Sequence, residues 1–120
     1  MSGAPRPTQL DYHRRAKVLE VQFDDGESYR LPAEYLRVFS PSAEVKGHGP
    51  GQEVLQVGKE AVTIERIEPV GHYAVRLHFD DGHNSGLYTW RVLRTLGERQ
   101  EENWRSYLSR LAKSGYTRQS

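Results

Sequence analysis

The sequence predicts an α+β fold: small antiparallel β-sheet hairpins with two or three helices, arranged as two strand–turn–strand–helix units. Three observations carry that expectation. Phe-Asp-Asp-Gly occurs twice, at Phe23–Gly26 and Phe79–Gly82, each time after an alternating apolar run. A Leu-Arg pair follows each copy within a helix-like stretch, at Leu36-Arg37 and Leu93-Arg94. The length of 120 residues suits one domain with one modest core.

Residues 1–12 are rich in Pro, Ser, Gly and Thr and read as a flexible lead-in. The folded domain is expected over residues 13–113, with a C-terminal tail over 114–120. Within Val18–Phe23, the residues Leu19, Val21 and Phe23 alternate onto one face, a strand signal. Asp24-Asp25-Gly26 reads as a hairpin turn because Asp and Gly tolerate the positive φ of tight turns. Ser28–Leu31 is then the return strand. Pro32 sits where a helix can start, since its missing N–H costs nothing there. Ala33–Phe39 is a short helix with Leu36 and Phe39 inward, ended by Ser40-Pro41.

The glycines and prolines of residues 40–53 predict a long irregular loop, of the kind that often carries function. Strands over Glu53–Val57, Val62–Pro69 and His72–Phe79 follow. The last of these has Tyr73, Val75, Leu77 and Phe79 on one face. Thr89 suits the N-cap of a helix that turns Trp90, Leu93 and Leu96 inward and closes at Gly97. Trp104, Tyr107, Leu108 and Leu111 mark the buried face of a final helix from about Gln100 to Lys113, capped by Gly115.

Composition narrows the function. Lys plus Arg number 17 against 16 for Asp plus Glu, so no net field favours nucleic acid as partner. The basic run His13-Arg14-Arg15-Ala16-Lys17 reads as a solvated arm. With no cysteine, disulfides, thiolate catalysis and cysteine-held zinc or iron–sulfur clusters are excluded within the chain. No run approaches the ~20 apolar residues that span a membrane. The N-terminus lacks the apolar centre of a secretion signal, so cytoplasm is the expected compartment.

Several residues are candidates for chemistry. The turns carry four carboxylates, Asp24, Asp25, Asp80 and Asp81, which suit a hard cation, although aspartate and glycine are what tight turns use anyway and that reading is the stronger. His48, between glycines, and His83, after the second turn, are placed as ligands or ligand contacts. Ser40, Ser42 and Ser85 lack a nucleophile elbow. Gly47–Gly51 lacks the lysine and Ser/Thr of a phosphate loop. Trp90 and Trp104 read as core.

Three segments together resemble one bacterial family. They are Leu36-Arg37-Val38-Phe39-Ser40-Pro41-Ser42-Ala43-Glu44-Val45-Lys46-Gly47-His48-Gly49, then Val70-Gly71-His72-Tyr73-Ala74-Val75, then Phe79-Asp80-Asp81-Gly82-His83-Asn84-Ser85-Gly86-Leu87-Tyr88-Thr89-Trp90. The family is the gamma-butyrobetaine hydroxylase-like N-terminal domain family, and the resemblance covers roughly residues 13–113. It implies a small α+β domain that, in carnitine-pathway dioxygenases, precedes the catalytic barrel and holds a structural zinc through three cysteines and a histidine. Ser40, Ser42 and Val45 match the cysteine positions, and His83 matches the histidine. One imidazole cannot hold a structural zinc, so no cofactor is expected. Similar domains are also fused to P-loop ATPases that carry iron–sulfur clusters.

The first reading is therefore a non-catalytic accessory domain that binds a protein partner, either a P-loop iron–sulfur carrier or a dioxygenase. Its expected surface is the Ser40–Gly51 loop with His83–Gly86, using Arg37, Ser40, Ser42, Glu44, His48, Asp81, His83 and Ser85. The alternative is a protein that binds zinc or iron through His83, His48 and an aspartate. A small enzyme is the third reading, and no catalytic residues are assigned to it. Neither nucleic acid nor a membrane is an expected partner.

Overall fold

A computed structural model describes residues 5–47 and 53–118 of the chain. Among them are six strands and four helices, in two three-stranded antiparallel sheets. The first sheet joins β1 (Pro7–His13), β2 (Val18–Phe23) and β3 (Ser28–Pro32) in that order and leads into helix α1 (Ala33–Val38). A single turn of helix, α2 (Ala43–Lys46), follows. The second sheet joins β4 (Ile64–Val70), β5 (Ala74–Phe79) and β6 (Leu87–Thr89) and leads into α3 (Trp90–Glu98). Helix α4 (Gln100–Ser114) closes the fold.

The two halves are built alike. In each, the register of the first strand pair shifts opposite the phenylalanine of Phe-Asp-Asp-Gly, between Pro7 and Gln9 against Phe23 and between Ile64 and Arg66 against Phe79. Gly26 and Gly82 take φ of +91° and +90°, a conformation that side chains with a Cβ rarely adopt. The halves share one core. Leu19, Val21, Phe23 and Leu31 from the first sheet meet Ile64, Val75, Leu77, Phe79 and Tyr88 from the second, with Leu36, Leu93 and Leu96 from the helices. Two buried hydroxyls tie helix to helix and helix to sheet: Tyr35 donates to Leu96 O and Tyr88 to Leu36 O, each at 2.6 Å.

Four expectations need correction. Residues 7–12 belong to an edge strand rather than a lead-in: Leu10 and Tyr12 pack on the core, and the Tyr12 hydroxyl accepts from Ile64 N at 3.1 Å. The expected irregular loop contains α2, whose first turn is capped by the Ser42 hydroxyl accepting from Glu44 N. Glu53–Val57 forms no strand. Its backbone is held singly instead, Val54 N donating to Val45 O at 2.8 Å and Tyr107 Oη to Gln56 O at 2.6 Å.

Gly97 is the fourth. It lies inside α3, and a Cβ there would meet the Tyr29 ring at 2.5 Å, so its smallness serves close packing rather than capping. Two apolar residues expected on inward faces also point outward. Tyr73 precedes β5 and Leu108 lies off the buried stripe of α4, which Tyr107 and Leu111 define. The remaining caps are as expected, Thr89 Oγ1 accepting from Val92 N and Gly115 adopting the left-handed C-terminal conformation. No helix among the described residues is long and apolar enough to cross a membrane.

Candidate functional site

The end of α1 and the second Phe-Asp-Asp-Gly turn bring together residues more than forty positions apart. Arg37 stands in the last turn of α1, and its Nε donates to Asp81 Oδ2 at 2.8 Å. Lys59 donates to the same oxygen at 2.7 Å, while Asp81 Oδ1 accepts from His83 N at 3.1 Å. Burial alone would raise the Asp81 carboxyl. The Lys59 ammonium, the His83 N–H and the Arg37 guanidinium together outweigh it and bring the pKa down to about 2. Arg37 Nη1 is buried and finds no partner among the described residues.

His83 is nearly enclosed, its ring tilted against Phe79 with centroids 6.0 Å apart. Its Nδ1 lies 3.0 Å from Glu44 Oε1 and its Nε2 lies 2.9 Å from Ser40 Oγ. A carboxylate only accepts, so Nδ1–H donates to Glu44 and the Ser40 hydroxyl donates to Nε2. Burial, then the Arg37 charge, push the His83 pKa below its ordinary value, which suits that neutral tautomer. Ser40 Oγ also accepts from Ser42 N at 3.2 Å. The Ser42 and Ser85 hydroxyls meet at 2.6 Å, and Ser85 donates onward to Glu44 at 3.1 Å. Seven of the eight expected surface residues thus form one network. His48 lies outside the described residues.

Most of this network is interior. Ser40, Ser42, Arg37 and His83 are buried, and Glu44, Asp81 and Ser85 are exposed. Ser40, His83 and Glu44 stand in the order of a Ser–His–acid relay. Ser40 Oγ, however, is packed against Gly86, where a Cβ would come within 2.4 Å of it, and the serine is 1% exposed. A substrate carbonyl has no approach to that oxygen.

A structural zinc does not fit either. The matched positions offer two hydroxyls, the apolar side chain of Val45 and an imidazole whose two nitrogens are already engaged. Among the described residues, no group of three or more His, Asp or Glu side chains is gathered as a metal site. Sequence reasoning missed Lys59, which reaches Asp81 only through the fold.

A family model described as gamma-butyrobetaine hydroxylase-like, N-terminal, matches residues 10–94. Two NMR solution structures are each of a chain 47% identical to this one, with TM-scores of 0.83. The matches cover 97% and 98% of this chain and 91% and 88% of theirs. A crystal structure of a protein of unknown function from Acidithiobacillus ferrooxidans, assigned to the DUF971 family, is 41% identical with a TM-score of 0.65. That match covers 77% of this chain and 92% of the other. No curated protein matches the chain.

Proposed function

The chain belongs to the gamma-butyrobetaine hydroxylase-like N-terminal domain family, and from that premise we propose that it is a non-catalytic accessory domain that binds a protein partner. The partner is a P-loop iron–sulfur carrier or a dioxygenase, and the setting is the cytoplasm. One observation carries this reading: Glu44 and Ser85, from segments distant in sequence, are exposed side by side on a buried hydrogen-bonded base of Ser40, Ser42 and His83. A carboxylate already oriented by His83 Nδ1 meets a cationic partner group with little ordering cost. Arg37, Asp81 and Lys59 brace the turn beneath it. His48, in the adjoining segment, is a further proposed contact.

Calorimetric titration with a purified P-loop iron–sulfur carrier, and separately with a dioxygenase of the same cell, tests the reading. Glu44→Lys should weaken the productive pair by about tenfold or more, the scale of a reversed charge at an interface. Absence of binding to both proteins overturns the proposal. So does a Glu44→Lys variant that binds as wild type does.

A further inference from the structure

A groove of about 800 Å³ runs between the start of α1 and the helices α3 and α4. Its floor carries Glu34, in the first turn of α1, and the face of Trp104. Glu34 is unusual for a carboxylate, with its side chain only 8% exposed. Its partner comes from the far end of the chain. Beyond the left-handed turn at Gly115, the tail runs back across the fold, and the Tyr116 hydroxyl donates to Glu60 at 2.7 Å. Arg118 then grips both oxygens of Glu34, Nε to Oε2 at 2.9 Å and Nη2 to Oε1. Its guanidinium carbon lies 5.3 Å from the centre of the Trp104 ring.

A buried carboxylate below an aromatic face is the arrangement that selects a guanidinium. The planar fork satisfies both oxygens at once while its face stacks on the ring, which a lysine ammonium cannot do. Two other carboxylates of the groove have partners from their own surroundings, Glu98 with Arg94 at 2.8 Å and Glu101 with Arg105 at 3.7 Å. Glu34 depends on Arg118. The cation that satisfies it sits beside Thr117, and both residues are exposed, so letting go of Glu34 and Trp104 costs Arg118 few other contacts.

We propose that this groove is an arginine-binding site, held closed in cis by Arg118, that accepts an arginine side chain from a protein partner when the tail lets go. The site is separate from the Glu44–Ser85 surface, and its test does not depend on that reading. The chain's own tail acts as a competitor, so it lowers the apparent affinity by the fraction of time that it occupies Glu34.

The probes are the capped tripeptide acetyl-Gly-Arg-Gly-amide and its lysine counterpart, titrated into the full chain and followed by NMR. The reporters are the Trp104 indole N–H and the Arg118 Nε–H. Wild type should bind the arginine peptide weakly, with the Arg118 signal moving as the latch is displaced. Arg118→Ala should bind it about tenfold tighter or better, because the cis competitor is gone. The lysine peptide should bind less well, and Glu34→Gln in the Arg118→Ala background should abolish saturable shifts.

Three outcomes overturn the proposal. One is a folded Arg118→Ala chain with no saturable shift at Trp104. Another is a Glu34→Gln, Arg118→Ala chain that binds the peptide as well as Arg118→Ala does. The third is wild-type chain whose mass in solution doubles with concentration while Arg118→Ala stays monomeric, which would assign the groove to the tail of a second copy. If Arg118→Ala fails to fold, the wild-type titration decides: an Arg118 signal that stays fixed at saturating peptide overturns the proposal.

Discussion

At the first turn, Phe23 N donates to Glu27 O at 2.8 Å and Gly26 N to Phe23 O at 3.1 Å; at the second, Phe79 N donates to His83 O at 3.0 Å and Gly82 N to Phe79 O at 3.1 Å. The first aspartate of each turn binds reciprocally the residue just before a neighbouring strand, Asp24 with Arg6 ahead of β1 and Asp80 with Thr63 ahead of β4. The second aspartate reaches the other half. Asp25 pairs with Arg94 of α3, and Asp81 pairs with Arg37 of α1. These arginines are the ones in the two Leu-Arg pairs, so the halves are locked by exchanged ion pairs.

The side chains around those equivalent frames differ. At the first turn the Tyr29 ring fills the space over Gly97, Arg94 lies over the Phe23 and Tyr29 rings, and Glu27 is exposed. At the second, His83 stands in the place of Glu27, and Gly86 lets Ser40 come close. A ring closes one end; a glycine leaves room for a polar network at the other. The candidate surface arises where the repeat leaves volume unfilled by apolar atoms.

The largest expected effect is a gain. Ser40→Cys, Ser42→Cys and Val45→Cys together restore, at the positions that the family resemblance matches, three thiolates to go with His83, a tetrahedral zinc set worth on the order of 10 kcal/mol in small domains. Metal analysis should find stoichiometric zinc in this variant and not in wild type. A folded triple variant without zinc would break the assignment of the second turn as the metal-bearing end of the family.

Asp81→Asn should destabilise the fold by about 3 kcal/mol in urea, because it strands the buried Arg37 guanidinium. Asp25→Asn should lose clearly less, because its side chain is 39% exposed and solvent screens the pair. Equal losses would show that burial does not distinguish the two exchanged pairs.

Gly97→Ala and Gly86→Ala should each lose about 2 kcal/mol by overpacking. The origins differ, so the rescues should differ too. Adding Tyr29→Leu should recover part of the Gly97→Ala loss and none of the Gly86→Ala loss. If thermal melts show both recovered, the two ends are less independent than their packing indicates.

The smallest effects are those of pH. Asp81 is held near 2 in the fold and titrates near 3.9 when unfolded, so its contribution is complete above about 4 and is lost as pH falls toward 2. That acid slope should flatten in Asp81→Asn. His83 has a lowered folded pKa, so below its unfolded value of about 6.5 the unfolded chain takes the proton first and stability falls. Melts between pH 7.5 and 5 should show a shallower fall in His83→Gln. An unchanged profile would mean that the buried imidazole titrates freely.

Local signals made much of this legible. Asp-Gly turns, the Thr89 cap, the Gly115 terminus and the helical apolar spacing each act within a few residues, and their physics survives without the rest of the fold. The strand Pro7–His13 escaped because an edge strand buries little: Leu10 and Tyr12 are its main packed residues, and the polar positions between them read as linker. Gly97 was misleading because a helix end and a close ring contact both select glycine. The Arg118–Glu34 clasp had no signal at all, since neither residue differs locally from a solvated charge.

By itself, the sequence determined that two similar units exist, where they turn, and which polar residues follow the second turn. Those properties come from short-range backbone and side-chain preferences. Tertiary structure alone decided that the arginines are exchanged between halves, that Lys59 and Arg37 share Asp81, and that burial between Ser40 and Glu44 lowers the His83 pKa. Such outcomes depend on burial and on charges brought together from distant positions, and no local pattern encodes either.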